Sequence, residues 1–293
     1  MSYCMSFSHL KTARKLDEKE RHALISLLAD DDAKVYRTVR ETLLSYGPSC
    51  TQWMREHTLS NDPVLRRRAT EIIEHFARQD ADTQFLAFCL NQGEDFDLEH
   101  GVLLLSRTQY PLINIDAYSA LLDDFAGDLR DRLDLNGPPD QILQIINDFL
   151  FRDHKFTGDE QNFYDPQNSY FNCVMDRRIG NPISLSLLYL LLARRLRLPM
   201  VGIGLPGHFL CRYQSSRAEL YVDAFHAGRL LAKADCVKHV IQLRQRFDES
   251  CLAPVTARRI LLRICANLHQ IYTQQKSPVQ IERLQRYLVA LAK

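Results

Sequence analysis

The chain has 293 residues, of which 46% are hydrophobic and 25% charged, and its formal net charge is +1. That length suffices for one large globular domain or two ordinary ones, and 37 basic residues against 36 acidic leave no single-signed field to recruit nucleic acid or acidic lipid. The eight cysteines, Cys4, Cys50, Cys89, Cys173, Cys211, Cys236, Cys251 and Cys265, contain no C-x-x-C pair, which argues against a zinc ribbon or a dense disulfide framework.

Buried thiols in a reducing compartment fit that cysteine pattern. The segment from Met1 to Leu16 has no apolar core of signal-peptide type, and the longest apolar run, Leu185 to Ala193, is too short to span a bilayer. The expectation is a cytoplasmic protein with no membrane association, no nucleic-acid partner, no cofactor and no metal.

From Asp17 to Gln79 apolar residues recur at helical spacing, with breaks at Gly47-Pro48 and Asp62-Pro63. Asp32 to Leu43 superposes on Asp62 to Ile73 at an offset of thirty, each an acidic cap followed by an arginine-rich amphipathic helix. Residues 1–97 therefore read as a HEAT-like helical array, with an ordinary helical bundle as the alternative. The arginines Arg66 to Arg68 read either as a site for an acidic partner or as a solvated face. Helices are predicted over Leu98–Ser106, Ile115–Leu133 and Asp140–Phe151, with the clearest turn at Asn136 to Pro139. Arg152 to Gly180 loses its period and reads as a structured loop whose aromatics are buried.

Asn181 is a good N-cap and Pro182 stands where a helix tolerates proline, so a helix is predicted from Pro182 to Leu196, apolar on nearly every face and hence central. After Pro199 the period shifts toward two, giving predicted strands at Met200–Leu205, His208–Tyr213 and Glu219–Phe225. The last third returns to helix at Lys233–Phe247, Ala257–Gln274 and Pro278–Ala292. The fold class is α+β, mainly α, with a small antiparallel sheet and a C-terminal helical hairpin.

If a turn at Ser215–Ala218 joins the last two strands as a hairpin, parity places His208 and Asp223 on one sheet face, opposite or one step diagonal. A carboxylate beside histidine fixes its tautomer and raises its basicity, as an acyl-transfer base requires. The missing member would be a thiol or hydroxyl at a helix N-terminus, where the dipole stabilises a thiolate. No cysteine stands near Pro182. Ser184 and Cys173 are the substitute candidates. Cys211 is set aside because residue 211 points to the opposite face from residue 208.

The run Gly180 to Pro199, the segments Gly204 to Leu210 and Val222 to Leu230, Tyr164 to Tyr170 with Arg177 and Arg178, and Leu98 to Gly101 with Tyr110-Pro111 together resemble the SirB1-like family of transglutaminase-like proteins. The resemblance runs on to Ile260–Tyr272, similar to the start of that family's tetratricopeptide-like tail. It implies a transglutaminase-like core over residues 98–232, followed by truncated tetratricopeptide-like helices over 233–293. It also implies that His208 and Asp223 stand where such enzymes carry their base and its orienting acid.

The chain departs from the family pattern at Lys155–Asp159, at Ala224 and in its short tail. Asn181, Arg177, Arg178, Tyr164, Tyr170 and Gly207 are the candidate pocket-lining residues, the exposed N–H groups of the helix start favouring an acceptor. The bland alternatives are solvated arginines paired with acids such as Asp176 and aromatics that merely anchor the loop. The functional expectation is a non-catalytic scaffold that binds another protein. The alternative is a cysteine or serine acyl-transfer enzyme, a peptidase, amidase or transglutaminase, using His208 and Asp223.

Overall fold

The computed structural model describes residues 16–216, 218–243 and 246–293; Cys4 and most of the N-terminal stretch read above lie outside them. The contact pattern divides the chain into two units, residues 1–80 and 81–293.

The first unit contains α1 (Glu18–Leu28), α2 (Ala33–Ser45), the short α3 (Thr51–Met54) and the first part of α4 (Pro63–Asn91). The acidic caps read from the sequence do their work here. Asp17, Asp32 and Asp62 each accept a hydrogen bond from a backbone N–H of the following turn, which satisfies donors that a helix start leaves orphaned. Leu28, Val39, Leu43, Met54, Ile72 and Phe76 form this unit's core. The arginine run is engaged locally: Arg68 donates to the carbonyls of Leu28 and Asp30, Arg66 donates to that of Ser60, and Arg67 pairs with Glu71 at 3.6 Å.

The second unit runs through the rest of α4, α5 (Leu98–Gln109), α6 (Ile115–Arg132), α7 (Pro139–Asn147), α8 (Phe171–Arg177), α9 (Pro182–Arg195), α10 (Lys233–Gln242), α11 (Ala257–Gln274) and α12 (Pro278–Leu291). Strands β1 (Thr157–Gly158) and β2 (Ile179–Gly180) pair in parallel. Strands β3 (Met200–Ile203), β4 (Leu210–Gln214), β5 (Glu219–Asp223) and β6 (Arg229–Leu231) form an antiparallel sheet in that order. The α+β, mainly α reading is correct, and the last two helices form an antiparallel hairpin that shares the core.

Central helix α9 explains the arrangement. Its residues from Pro182 to Tyr189 are all buried, so it needs apolar cover on every side. The cover comes from α6, α8, α11, β3 and β4.

Several boundaries differ from the sequence expectation. Strand β4 begins at Leu210 because the chain turns at Leu205–His208: the His208 N–H donates to the Leu205 carbonyl, and Gly207 takes φ +66°. The predicted third strand ends at Asp223, bends through a 3-10 turn at Ala224–His226, and returns as β6, which the sequence did not announce. Residues 148–153 form a π-helical segment after α7. The aperiodic stretch from Arg152 to Gly180 contains α8, whose Phe171, Cys173, Val174 and Met175 are all buried and so show no amphipathic period.

Candidate functional site

The start of α9, the Leu205–His208 turn and the end of β5 bring the chemistry together. Register Cys211↔Val222 sets His208 one step diagonal to Asp223. His208 Nε2 lies 2.9 Å from Asp223 Oδ1, an ion-pair distance, but the approach is oblique and not a well-aligned hydrogen bond. The other carboxylate oxygen, Oδ2, lies 2.8 Å from His226 Nδ1, and the same acid accepts the backbone N–H of His226 at 3.3 Å. Burial acts to raise the Asp223 carboxyl, but His208 and His226 outweigh it and hold the group below the usual carboxylate range. The acid is therefore ionised at neutral pH and clamped between two imidazoles.

His208 also forms part of two cavities of about 360 Å³ each. One is bounded by Tyr164, Asn181, Pro182, Ile183 and Gly207 together with Arg263, Asn267 and Gln270 of α11. The other is lined by Asp223, His226, Arg229, Lys238 and His239.

The helix start carries no free nucleophile. Asn181 caps α9 through its side chain, accepting from the Ser184 N–H at 3.0 Å. Ser184 Oγ accepts from the Asn181 N–H and donates to the Asn168 carbonyl at 2.7 Å. That hydroxyl is a structural cap. The structure does not bring Cys173 to the site: it is buried in α8 and lines neither cavity beside His208. Burial pushes its thiol up, against a smaller lowering effect of Tyr110. Cys211, fully buried, donates its S–H to the Ser186 carbonyl.

Cys173 and Cys211 are expected to resist alkylation by iodoacetamide in the native protein, whereas half-buried Cys251 reacts first among the described cysteines. Peptide mass mapping checks this. Rapid labelling of Cys173 would mark it as an activated thiol and contradict the placement.

Of the sequence-predicted pocket residues, Asn181, Tyr164 and Gly207 line the first cavity. Tyr170 does not: it is 1% exposed and its hydroxyl meets that of Tyr272 at 3.3 Å. Arg177 pairs with Asp165 at 3.1 Å, and Arg178 ends α8 with φ +58° while donating to the His154 carbonyl. Arg177 and Arg178 hold the loop rather than the pocket, because Asp165 and the His154 carbonyl within it engage their guanidinium groups, and Tyr170 ties the loop to α11 through Tyr272.

The sequence reading missed His226, His239 and the α11 face. Arg263, Asn267 and Gln270 recur at helical spacing, a polar stripe legible only once α11 is known to face the cavity. His226 follows Asp223 by three residues, but a strand reading sends it to the opposite face.

A buried helix with a capped start, packed on an antiparallel sheet that offers a histidine and an aspartate, is the scaffold on which transglutaminase-type acyl transfer is built. Residues 116–266 match the family model described as the transglutaminase-like superfamily, and the chain belongs to that superfamily.

Among curated relatives it is 34% identical over 192 residues to a UPF0162 protein of Xylella fastidiosa (strain 9a5c), covering 61% of this chain and 66% of that protein. It is 32% identical over 127 residues to a UPF0162 protein of Pseudomonas aeruginosa, covering 42% of this chain and 46% of the relative. It is also 35% identical over 136 residues to F-box only protein 21 of Mus musculus, covering 44% of this chain and 21% of that protein. The chain thus spans less than two thirds of these relatives. No solved structure matches it. Among the described residues no helix is long and apolar enough to cross a membrane.

Proposed function

We propose that the protein is a non-catalytic, SirB1-like member of the superfamily, a scaffold that grips a segment of another protein in the cavity beside His208. The observation that carries this reading is the α9 start, where Pro182 and Ile183 border the cavity and the Ser184 hydroxyl is spent on capping. A base with nothing to activate performs no acyl transfer.

The cavity's other wall supports a binding role. Arg263, Asn267, Gln270 and Asn181 offer guanidinium and amide groups, with Tyr164 beside them, a mixture suited to the donors and acceptors of a peptide backbone. The match to a small fraction of F-box only protein 21 is consistent with a module built into larger chains. The acid-capped helices of residues 1–80 are read as HEAT-like and α11–α12 as tetratricopeptide-like, further surfaces for a protein partner. Seven free cysteines among the described residues accord with a cytoplasmic location.

The His208–Asp223 pair favours one competing reading, an acyl-transfer enzyme whose nucleophile lies elsewhere. Ester and amide hydrolysis, and amine incorporation into a glutaminyl peptide, are the assays that separate the two. The expected result is a rate equal to the uncatalysed one, unchanged by His208→Ala. A reproducible activity that His208→Ala abolishes while circular dichroism stays native would overturn the scaffold reading.

A further inference from the structure

Asp223 stands between two imidazoles, one per carboxylate oxygen, and the donor atoms of His208, Asp223 and His226 all lie within 4.8 Å of one another. We propose that these three side chains form a binding site for a divalent transition metal of the zinc class, open to the cavity lined by His239 and Lys238.

Four observations carry the assignment. The donors come from the Leu205–His208 turn and from the end of β5 with the 3-10 turn that continues it, so two separate pieces of backbone bring ligand atoms together. The chemistry of the set, two imidazoles and one carboxylate, is that of metal sites that keep a coordination position for water or a ligand. The nearly buried His208 Nε2 makes no aligned hydrogen bond, although it lies 2.9 Å from a carboxylate oxygen, so its lone pair or proton is not committed to that partner. His226 is the exposed member: its side chain is 51% exposed, which leaves it room to rotate.

In a tetrahedral site with donors about 2.0–2.1 Å from zinc, neighbouring donors lie about 3.3 Å apart. The observed separations of 2.8 and 2.9 Å run to different carboxylate oxygens, and with one ligand atom per residue all three lie within 4.8 Å, so the donors must shift by up to about 1.5 Å to meet that. An exposed imidazole permits this by side-chain rotation. Two neutral imidazoles and one carboxylate leave a bound dication with one net positive charge, so the remaining position favours hydroxide or an incoming carboxylate. Arg229 and Lys238 line the same cavity and repel the ion, but Lys238 lies 3.7 Å from Asp235, which offsets part of its charge. Metal at this point occupies the Nε2 lone pair of His208. The proposal does not rest on the non-catalytic reading, because it is tested without any acyl substrate.

The test uses the full chain, stripped with chelator and dialysed against zinc, with bound metal measured by atomic spectroscopy and cobalt as a visible-absorption probe. The expected result is one equivalent per chain, with affinity falling at least tenfold in His226→Ala and unchanged in His22→Ala, which alters an exposed histidine on α1. Thermal unfolding with and without zinc gives a second readout: zinc raises the midpoint of the wild type but not of His226→Gln. The proposal is overturned if the stripped chain takes up less than stoichiometric zinc, or if His226→Ala and Asp223→Asn, both folded by circular dichroism, bind as tightly as the wild type.

Discussion

Substituting Gly228 with alanine is expected to destabilise the protein by about 3–5 kcal/mol, combining left-handed backbone strain, overpacking and an orphaned amide. Gly228 is buried in the bend that joins Asp223 and His226 to β6, and its φ of +74° lies in the region that favours glycine. An added Cβ would lie 2.2 Å from Asn147 Oδ1 and 2.8 Å from a Phe151 ring carbon. Asn147 cannot retreat cheaply, because it is 5% exposed and donates through Nδ2 to the Gly228 carbonyl at 2.7 Å. Equilibrium urea unfolding measures the loss, and a double-mutant cycle identifies its cause. In an Asn147→Ala background the clash with the amide is gone while the Phe151 contact remains, so Gly228→Ala should cost clearly less, keeping the ring contact and the backbone strain of about 1–2 kcal/mol. An undiminished cost in that background would show that Asn147 is not the obstacle.

Arg258→Ala is expected to cost on the order of 4 kcal/mol, because it orphans several buried acceptors at once and each is worth about 1–3 kcal/mol. Arg258 is 7% exposed on α11, and its guanidinium reaches four carbonyls: Leu291 at 2.9 Å, Ala290 at 2.8 Å, Gln92 at 3.0 Å and Cys89 at 3.2 Å. Those carbonyls lie at or just beyond the C-terminal ends of α12 and α4, where helix geometry supplies no N–H. A cation there also meets the negative end of each helix dipole. Arg258→Lys should recover little, since one ammonium cannot span the four acceptors that the planar fork reaches. Thermal and urea unfolding would refute this account if Lys restored near-wild-type stability.

The sequence shows clearly those features whose cause is local. Asp17, Asp32 and Asn181 announce helix starts through side chains that bond their own first turn, and Pro182 marks the central helix. His208 and Asp223 were paired from strand parity, and they do lie together, although His208 sits in a turn ahead of the strand. What remained hidden depends on distant partners. Nothing in the local pattern singles out Arg258 or Arg283, yet both are 7% exposed and bond carbonyls far along the chain. His226 joins the site only because β5 bends at residue 224, a bend whose glycine, Gly228, comes two residues after His226. Cys173 is a candidate thiol in the sequence because it lies on the polar loop nine residues before Pro182 and parity sets Cys211 aside, but the loop contains a helix that buries it.

The way the C-terminal hairpin is fastened bears on how the protein comes into being. Arg283 donates to the Thr108 carbonyl and the Gln109 side chain, Tyr287 bonds Asp82 and its ring meets that of Phe85 at 4.7 Å, and Arg258 ties the end of α4 to the end of α12. The segment matching the superfamily, residues 116–266, excludes both partners of the Arg283 and Tyr287 contacts and stops inside α11. During synthesis, the core that Phe85 opens is not closed until Tyr287 has left the ribosome. Ordering such distant segments is slow, so the emerging chain presents the face of α5 that α11 covers until the C-terminal hairpin has been made. For the newborn chain, the hazard is premature association rather than slow secondary structure.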